Sequence, residues 1–307
     1  MHEPIYIAAS CDDNYVQHVA ALFCSVLANT CSPERVHFYL ISAQINDESL
    51  NKLSLLIKAQ QASITFIPAD ESKFSGFPTL RYGMAAYQRL SLADYLPSNV
   101  HRAIYLDADT IVLDDIALLW EIDLGGNGLA AVENLSPKAC RAFKFDRQDY
   151  FNSGVLLIDI DKWRAMDVFS QSLHFINKNK ETLHFIDQCT LNAVFSKQWT
   201  RLSLRWNQQA DIFGVRKKYA DGCGYSRADM TDAIRTPGVV HYIGRQKPWL
   251  LNCFHPYQSH YHYYLGLTPW AQQSYIDDTL CNRLKRMLSW QRQFKQWRIY
   301  STMAKKI

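Results

Sequence analysis

The stretch Ile104-Tyr105-Leu106-Asp107-Ala108-Asp109-Thr110-Ile111-Val112-Leu113 decides how this chain reads. An apolar run ends in two carboxylates one residue apart, and a second apolar run begins at once. Residues i and i+2 of a strand point to the same side, so an extended backbone here would bring Asp107 and Asp109 together. Carboxylates so placed repel each other and lose hydration unless a positive charge sits between them. A hard divalent cation with oxygen ligands meets that need, and an Asp-x-Asp site of this kind commonly holds a diphosphate. A solvated strand end is the blander reading of the same residues, and the rest of the chain has to decide between the two.

Upstream, residues 5–9, 36–41, 64–67 and 103–106 read as short strands. Residues 15–29, 47–59 and 85–95 read as helices, the first from the apolar spacing of Val19, Leu22, Phe23 and Val26. Asp47 is the expected N-cap of the second helix. This alternation predicts an α/β fold, a Rossmann-like, mostly parallel mixed sheet with helices on both faces. Ligands on such sheets sit beyond the carboxyl ends of the strands, where Asp107 and Asp109 fall. Past residue 113 the pattern loosens, with strands expected at 129–132, 154–160 and 239–242 among irregular, aromatic-rich stretches. Residues 1–265 are expected to form one domain and residues 266–307 a helical tail.

With 307 residues, 48% hydrophobic and 13% aromatic, the chain can bury a large core. Met1-His2-Glu3-Pro4-Ile5 has neither the basic start nor the apolar run of a signal peptide. No window approaches the ~18 uninterrupted apolar residues of a membrane span. The eight cysteines (11, 24, 31, 140, 189, 223, 253 and 281) form no Cys-x-x-Cys pair and read as reduced thiols of a cytoplasmic protein. The net charge of +4 is uneven: residues 281–307 carry eight Lys/Arg, including Lys305 and Lys306, and no Asp or Glu. That leaves 25 basic against 29 acidic residues in the body, so nucleic acid is not an expected partner.

Two other patterns lead away from chemistry. Gly126-x-Gly128-x-x-Ala131 resembles a dinucleotide fingerprint, but a strand-like run follows it, so it reads as a turn. Cys253, His255, His260 and His262 fit no standard zinc spacing and read as an aromatic surface loop.

Three segments join the aspartate pair. Ser10-Cys11-Asp12-Asp13-Asn14-Tyr15 follows the first strand and opens the first helix, a place suited to a base and ribose. His241-Tyr242-Ile243-Gly244-Arg245-Gln246-Lys247-Pro248-Trp249 follows a strand; its imidazole suits manganese beside two carboxylates, and Lys247 would offset phosphate charge. Phe151-Asn152-Ser153-Gly154, with Asp187-Gln188 further on, offers short polar groups for sugar hydroxyls.

With Arg89 in Tyr87-Gln88-Arg89-Leu90, these segments run in one order across residues 5–250, and the chain resembles glycosyltransferase family 8. It is particularly similar to bacterial lipo-oligosaccharide α-1,4-galactosyltransferases. The resemblance implies a GT-A fold, a UDP-hexose donor, retention at the anomeric carbon, and Mn²⁺ (or Mg²⁺) held by Asp107, Asp109 and His241. It implies uridine contacts from Asp12, Asn14 and Tyr15, diphosphate contacts from Gly244 and Lys247, and donor-sugar contacts from Arg89, Asn152 and Asp187. Cys11, Ala108 and Ser153 complete the implied donor-binding set, and Gln188 would face the anomeric carbon. Two departures stand out: Cys189 replaces the usual second Asp after Asp-Gln, and Asn134 stands where close relatives carry Asp. The expected reaction is a same-face displacement with galactose favoured over glucose, a covalent glycosyl-enzyme route remaining the alternative. Leu280, Leu284, Met287, Leu288 and Phe294, with Trp290 and Trp297, recur at near-helical spacing among the basic residues of the tail. This predicts attachment to an anionic membrane surface, near a lipid-linked saccharide acceptor.

Overall fold

The computed structural model describes residues 3–77, 83–136, 145–181, 183, 185–213, 223–273 and 275–303. Cys140, Lys305 and Lys306 lie outside them. The chain opens with β1 (Ile5–Asp12), α1 (Val16–Asn29), β2 (Val36–Ala43), α2 (Asp47–Ala59) and β3 (Ser63–Pro68). β1 pairs in parallel with β2, and β2 with β3. Asn46, not Asp47, caps α2: its side-chain oxygen accepts from Ser49 N–H at 2.8 Å, and Asp47 takes the first helical position. Both residues favour a helix start, Asp47 through its charge near the amino end.

The single helix expected over residues 85–95 is broken. α3 (Ala85–Gln88) tightens into a 3₁₀ turn at Arg89–Ser91 before α4 (Leu92–Tyr95). The irregularity coincides with Arg89, which is buried. β4 (Arg102–Leu106) then pairs in parallel with β1. After a turn, β5 (Thr110–Val112) leaves for a second sheet, and α5 (Ala117–Trp120) follows. Gly125 and Gly126, both at positive φ, turn the chain into β6 (Leu129–Glu133), so the glycines there make a turn as the sequence indicates.

β7 (Phe151–Asp159) runs antiparallel to both β4 and β6. It is followed by α6 (Ile160–Ala165), α7 (Val168–Asn179) and α8 (Ile186–Val194). Beyond these come β8 (Thr200–Arg201), β9 (Gln208–Gln209), α9 (Arg227–Arg235), β10 (Val239–His241) and α10 (Gln258–Gly266). Cys253, His255 and His260 are buried, and the latter lies with His262 on α10; the surface loop expected there is part of the packed body. Tyr242 and Tyr257 surround His255, and their apolar area pulls the segment inward.

The main sheet has the order β3-β2-β1-β4-β7-β6-β8, and β5-β10-β9 form the second. Alternation along the central strands separates two cores. Ile5, Ile7, Ala9, Ile104 and Leu106 face one side with α1, whereas Ala8, Ala103 and Tyr105 face the other with residues of α6, α7 and α8. Helices therefore cover both faces, as the sequence predicts, and the antiparallel β7 makes the sheet mixed.

The tail forms α11 (Leu280–Leu288) and α12 (Trp290–Tyr300). Its polar face meets the body: Arg286 donates to the carbonyls of Leu251 and Cys253, and Gln296 to that of His255. Met303 is buried in the core shared with α1. Among the described residues, no helix is long and apolar enough to cross a membrane.

Candidate active site

β4 ends at Leu106, and Asp107–Asp109 form the turn into β5 rather than part of a strand. Thr110 N–H and Oγ1–H both donate to the Asp107 carbonyl, at 3.1 and 2.7 Å, and close that turn. Convergence of the two carboxylates thus comes from a tight turn, not from strand alternation. β10 supplies the third group: it pairs antiparallel with β5, setting His241 opposite Thr110. One ligand atom from each of Asp107, Asp109 and His241 lies within 4.8 Å of the others. Among the described residues this is the one such cluster able to hold a metal ion.

A bulge in β7 builds the floor. Ala131 of β6 faces Leu156, but the next residue, Val132, faces Asn152, so Ser153–Val155 bow out of the ladder with β6. Gly154 instead accepts Asp107 N–H at 2.8 Å. A Cβ on Gly154 would lie 2.2 Å from His241 Cε1 and 2.6 Å from Asp107 Oδ2, so only glycine leaves this cradle open.

Charge is arranged around the cluster. Arg89 reaches Asp107 Oδ1 at 2.6 Å, Asp187 Oδ2 at 3.1 Å and the Ser153 carbonyl at 2.7 Å, while its guanidinium lies over the Tyr105 ring. Ser153 Oγ–H donates to Asp187 at 2.7 Å. Lys247 pairs with Asp109 and donates to the Tyr242 carbonyl at 2.7 Å. Burial lifts the Asp107 carboxyl above the usual carboxylate range; Arg89 opposes that and the neighbouring Asp109 adds to it. Burial would lift Asp109 too, but Lys247 and His241 outweigh it and hold Asp109 well below that range. Two carboxylates and an imidazole make a suitable donor set for Mn²⁺ or Mg²⁺, and glycine at 154 lets His241 and Asp107 pack closely enough to share one ion.

At the β1–α1 turn, Asp12 accepts Tyr15 N–H at 3.2 Å, Asn14 is exposed and Tyr15 is partly so. The Tyr15 ring meets Trp249 edge-on at 5.7 Å, and Trp249 stacks on His18 at 3.6 Å. Trp249, two residues after Lys247, thus packs against the β1–α1 turn. Cys11 is buried in the core, where burial pushes its thiol up, so only its main chain is available to a donor. Gly244 takes φ +82 with open space around it, a conformation that brings main chain to a surface without a side chain in the way. Gln188 and Asn152 are buried side by side, Asn152 Nδ2–H donating to Gln188 Oε1 at 3.1 Å.

The profile of glycosyl transferase family 8 matches residues 6–253. The chain belongs to that family. General stress protein A of Bacillus subtilis is 31% identical over 87% of this chain and 95% of its own length. The lipopolysaccharide 1,2-glucosyltransferase of Escherichia coli is 26% identical over 89% of this chain and 80% of its own. The crystal structure of the galactosyltransferase LgtC with donor and acceptor sugar analogues superposes with a TM-score of 0.75 at 26% identity, covering 86% of this chain and 96% of LgtC. This family 8 glycosyltransferase thus has the GT-A fold.

Several residues that the structure brings to this candidate site carry no signal in the sequence. Asn207 Oδ1 meets His241 Nδ1 at 3.0 Å, yet it stands in Leu204-Arg205-Trp206-Asn207, a stretch without periodicity. His18, within the first helix, and Tyr150, directly ahead of Phe151-Asn152-Ser153-Gly154, belong to no quoted motif. Trp249 and Gly154, by contrast, lie inside segments quoted above.

Proposed function

We propose that this glycosyltransferase is a retaining, Mn²⁺-dependent hexosyltransferase, with Mg²⁺ as the alternative ion. It would move galactose from UDP-galactose to a saccharide acceptor in lipo-oligosaccharide or lipopolysaccharide synthesis. The observation that carries this reading is the convergence of Asp107, Asp109 and His241 beside Lys247, with Asp187 and Gln188 across the β7 bulge. When bound, the cation supplies charge to offset the diphosphate as it departs.

The chain's own residues do the rest. Asp12, Asn14 and Tyr15 would hold uridine, and the main chain at Cys11 and Ala108 would lie along the nucleotide. Gly244 lets main chain approach phosphate oxygens, and Lys247 turns from Asp109 to the leaving phosphate as negative charge grows there. Arg89, Asn152, Ser153 and Asp187 would fix the hexose. An amide at Gln188 is a poor nucleophile, which favours same-face displacement over a covalent intermediate. Asn134, in place of an acidic residue, would bear on hexose or acceptor preference.

The tail supports a place at the cytoplasmic face of a membrane, where a lipid-linked acceptor is held. Its exposed residues combine large apolar side chains, Leu280, Leu288, Trp290, Phe294 and Trp297 among them, with the basic Arg283, Lys285, Arg292, Lys295 and Arg298. Similarity to the lipopolysaccharide 1,2-glucosyltransferase favours one second reading, UDP-glucose as donor. UDP release measured with UDP-galactose and UDP-glucose, lipid-free glycan acceptors and a panel of divalent ions tests both. Metal-independent release, or none with either donor, would sink the proposal.

A further inference from the structure

Two main-chain N–H groups in the β7 bulge set the orientation of every side-chain amide around them. Ser153 N–H donates to Gln188 at 3.3 Å, so the atom it meets must be the amide oxygen. Gly154 N–H donates to Asn152 at 3.0 Å, which makes that atom Oδ1 and leaves Asn152 Nδ2 to donate to Gln188 Oε1 at 3.1 Å. Asn152 Oδ1 also accepts from Asn207 Nδ2 at 2.8 Å. The oxygen of Asn207 must then face His241 Nδ1 at 3.0 Å, and an oxygen there requires the proton to sit on Nδ1.

We infer that Asn207 and Asn152 form an amide relay of fixed polarity between the metal-cluster imidazole and Gln188, with Asn207 as the positioning residue on which it turns. At one end the relay commits Nδ1–H of His241 to Asn207 and turns Nε2 toward Asp109 Oδ1 at 3.2 Å and Asp107 Oδ2 at 3.8 Å. Nε2 is thereby aimed at the point where the two carboxylates converge, so the relay holds His241 ready as a ligand. At the other end the Gln188 oxygen is engaged twice, and its Nε2 donates to the Tyr150 hydroxyl at 3.2 Å, which in turn meets Cys189 Sγ at 3.2 Å. Gln188 is thereby fixed as an N–H donor, with its carbonyl withdrawn from attack on a sugar. Asn207 is fully buried, and His241, Asn152 and Gln188 nearly so, which keeps water from substituting for any partner.

This inference rests on the metal reading for its consequence but not for its first test. In the full chain labelled at histidine nitrogens and free of metal, His241 (identified by its loss in His241→Gln) should show Nδ1–H by long-range proton–nitrogen NMR. Finding Nδ1 without a proton would overturn the relay whether or not metal binds. Calorimetric titration with Mn²⁺ is the second test. Asn207→Leu removes both partners and should weaken Mn²⁺ by roughly 10- to 100-fold. Asn207→Asp keeps an acceptor for Nδ1–H but loses the donor to Asn152; Mn²⁺ affinity should stay within about threefold, while kcat falls at least about tenfold with little change in donor KM. Equal Mn²⁺ affinity in wild type and Asn207→Leu overturns the inference. Absence of Mn²⁺ binding in the wild type sinks the metal reading instead, with the tautomer still deciding the relay.

Discussion

Gly154 lies so close beneath His241 that one added methyl group would sit 2.2 Å from the imidazole Cε1 and 2.8 Å from Nδ1. Both neighbours are fixed, His241 by Asn207 and Asp107 by Arg89, so neither can yield. Gly154→Ala should therefore displace the imidazole and a carboxylate together. The expected cost is about 1–3 kcal/mol of stability from overpacking, and Mn²⁺ affinity should fall by at least about 100-fold. Urea unfolding read alongside calorimetry checks both. A variant of normal affinity would mean that the cluster is not where the ion binds.

Lys247 competes with a cation for Asp109 and is also the residue proposed to meet the diphosphate. Removing it should separate these roles. Without nucleotide, Lys247→Met should bind Mn²⁺ several-fold more tightly, because Asp109 loses its ammonium partner. With Mn²⁺ saturating, UDP affinity should fall roughly tenfold, about 1.4 kcal/mol. Titrating metal alone and then UDP reads the two effects. Weaker metal binding with unchanged UDP affinity would contradict the exchange.

The first half of the fold was legible because β1, β2, β3 and β4 are short apolar runs and α1 and α2 carry one-sided apolar spacing. Later helices hid for a physical reason. α8 buries Asp187, Gln188, Thr190 and Asn192 along with Ile186 and Leu191, so polar residues face inward and no apolar stripe remains. In α10 histidines and tyrosines occupy several faces, which reads as irregular. The candidate site shows the same division. Asp107, Asp109 and His241 belong to motifs because their chemistry restricts residue type. Asn207 arrives beside His241 through the pairing of β9 with β10, which no local pattern encodes.

His255 offers a pH test. Its imidazole is packed against Phe213 and Tyr242, and burial, aided by His260 and His241, pushes its pKa down to about 3. The unfolded chain takes up a proton there near the ordinary value of 6.5, but the folded chain waits until about 3. Stability contributed by the neutral form is thus complete above 6.5 and drains away as pH falls across that interval. Well below 6.5 the wild type should lose about 1.4 kcal/mol per pH unit more than His255→Gln, whose amide can still accept from Tyr257 N–H. Parallel slopes in urea unfolding between pH 5.5 and 4.5 would show that His255 is protonated in the fold.

The tail helices are mounted with their apolar side outward. Asn282, Arg286, Gln293 and Gln296 make hydrogen bonds on the inner side, whereas Leu280 is 75% and Leu288 81% exposed, with Trp290, Phe294 and Trp297 exposed alongside. A helix stabilised by packing on its own domain would show the reverse. Since Met303 is buried in the core, truncating the tail confounds folding with attachment, and surface substitutions make the cleaner test. The wild type should sediment with vesicles containing phosphatidylglycerol and much less with phosphatidylcholine alone, each basic residue near an anionic surface contributing about 1 kcal/mol. Trp290→Ser combined with Phe294→Ser and Trp297→Ser should release it from both while sparing turnover of lipid-free acceptors. If the wild type stays in the supernatant and elutes as a dimer that the triple variant splits, the exposed face meets a second copy of the chain instead of lipid.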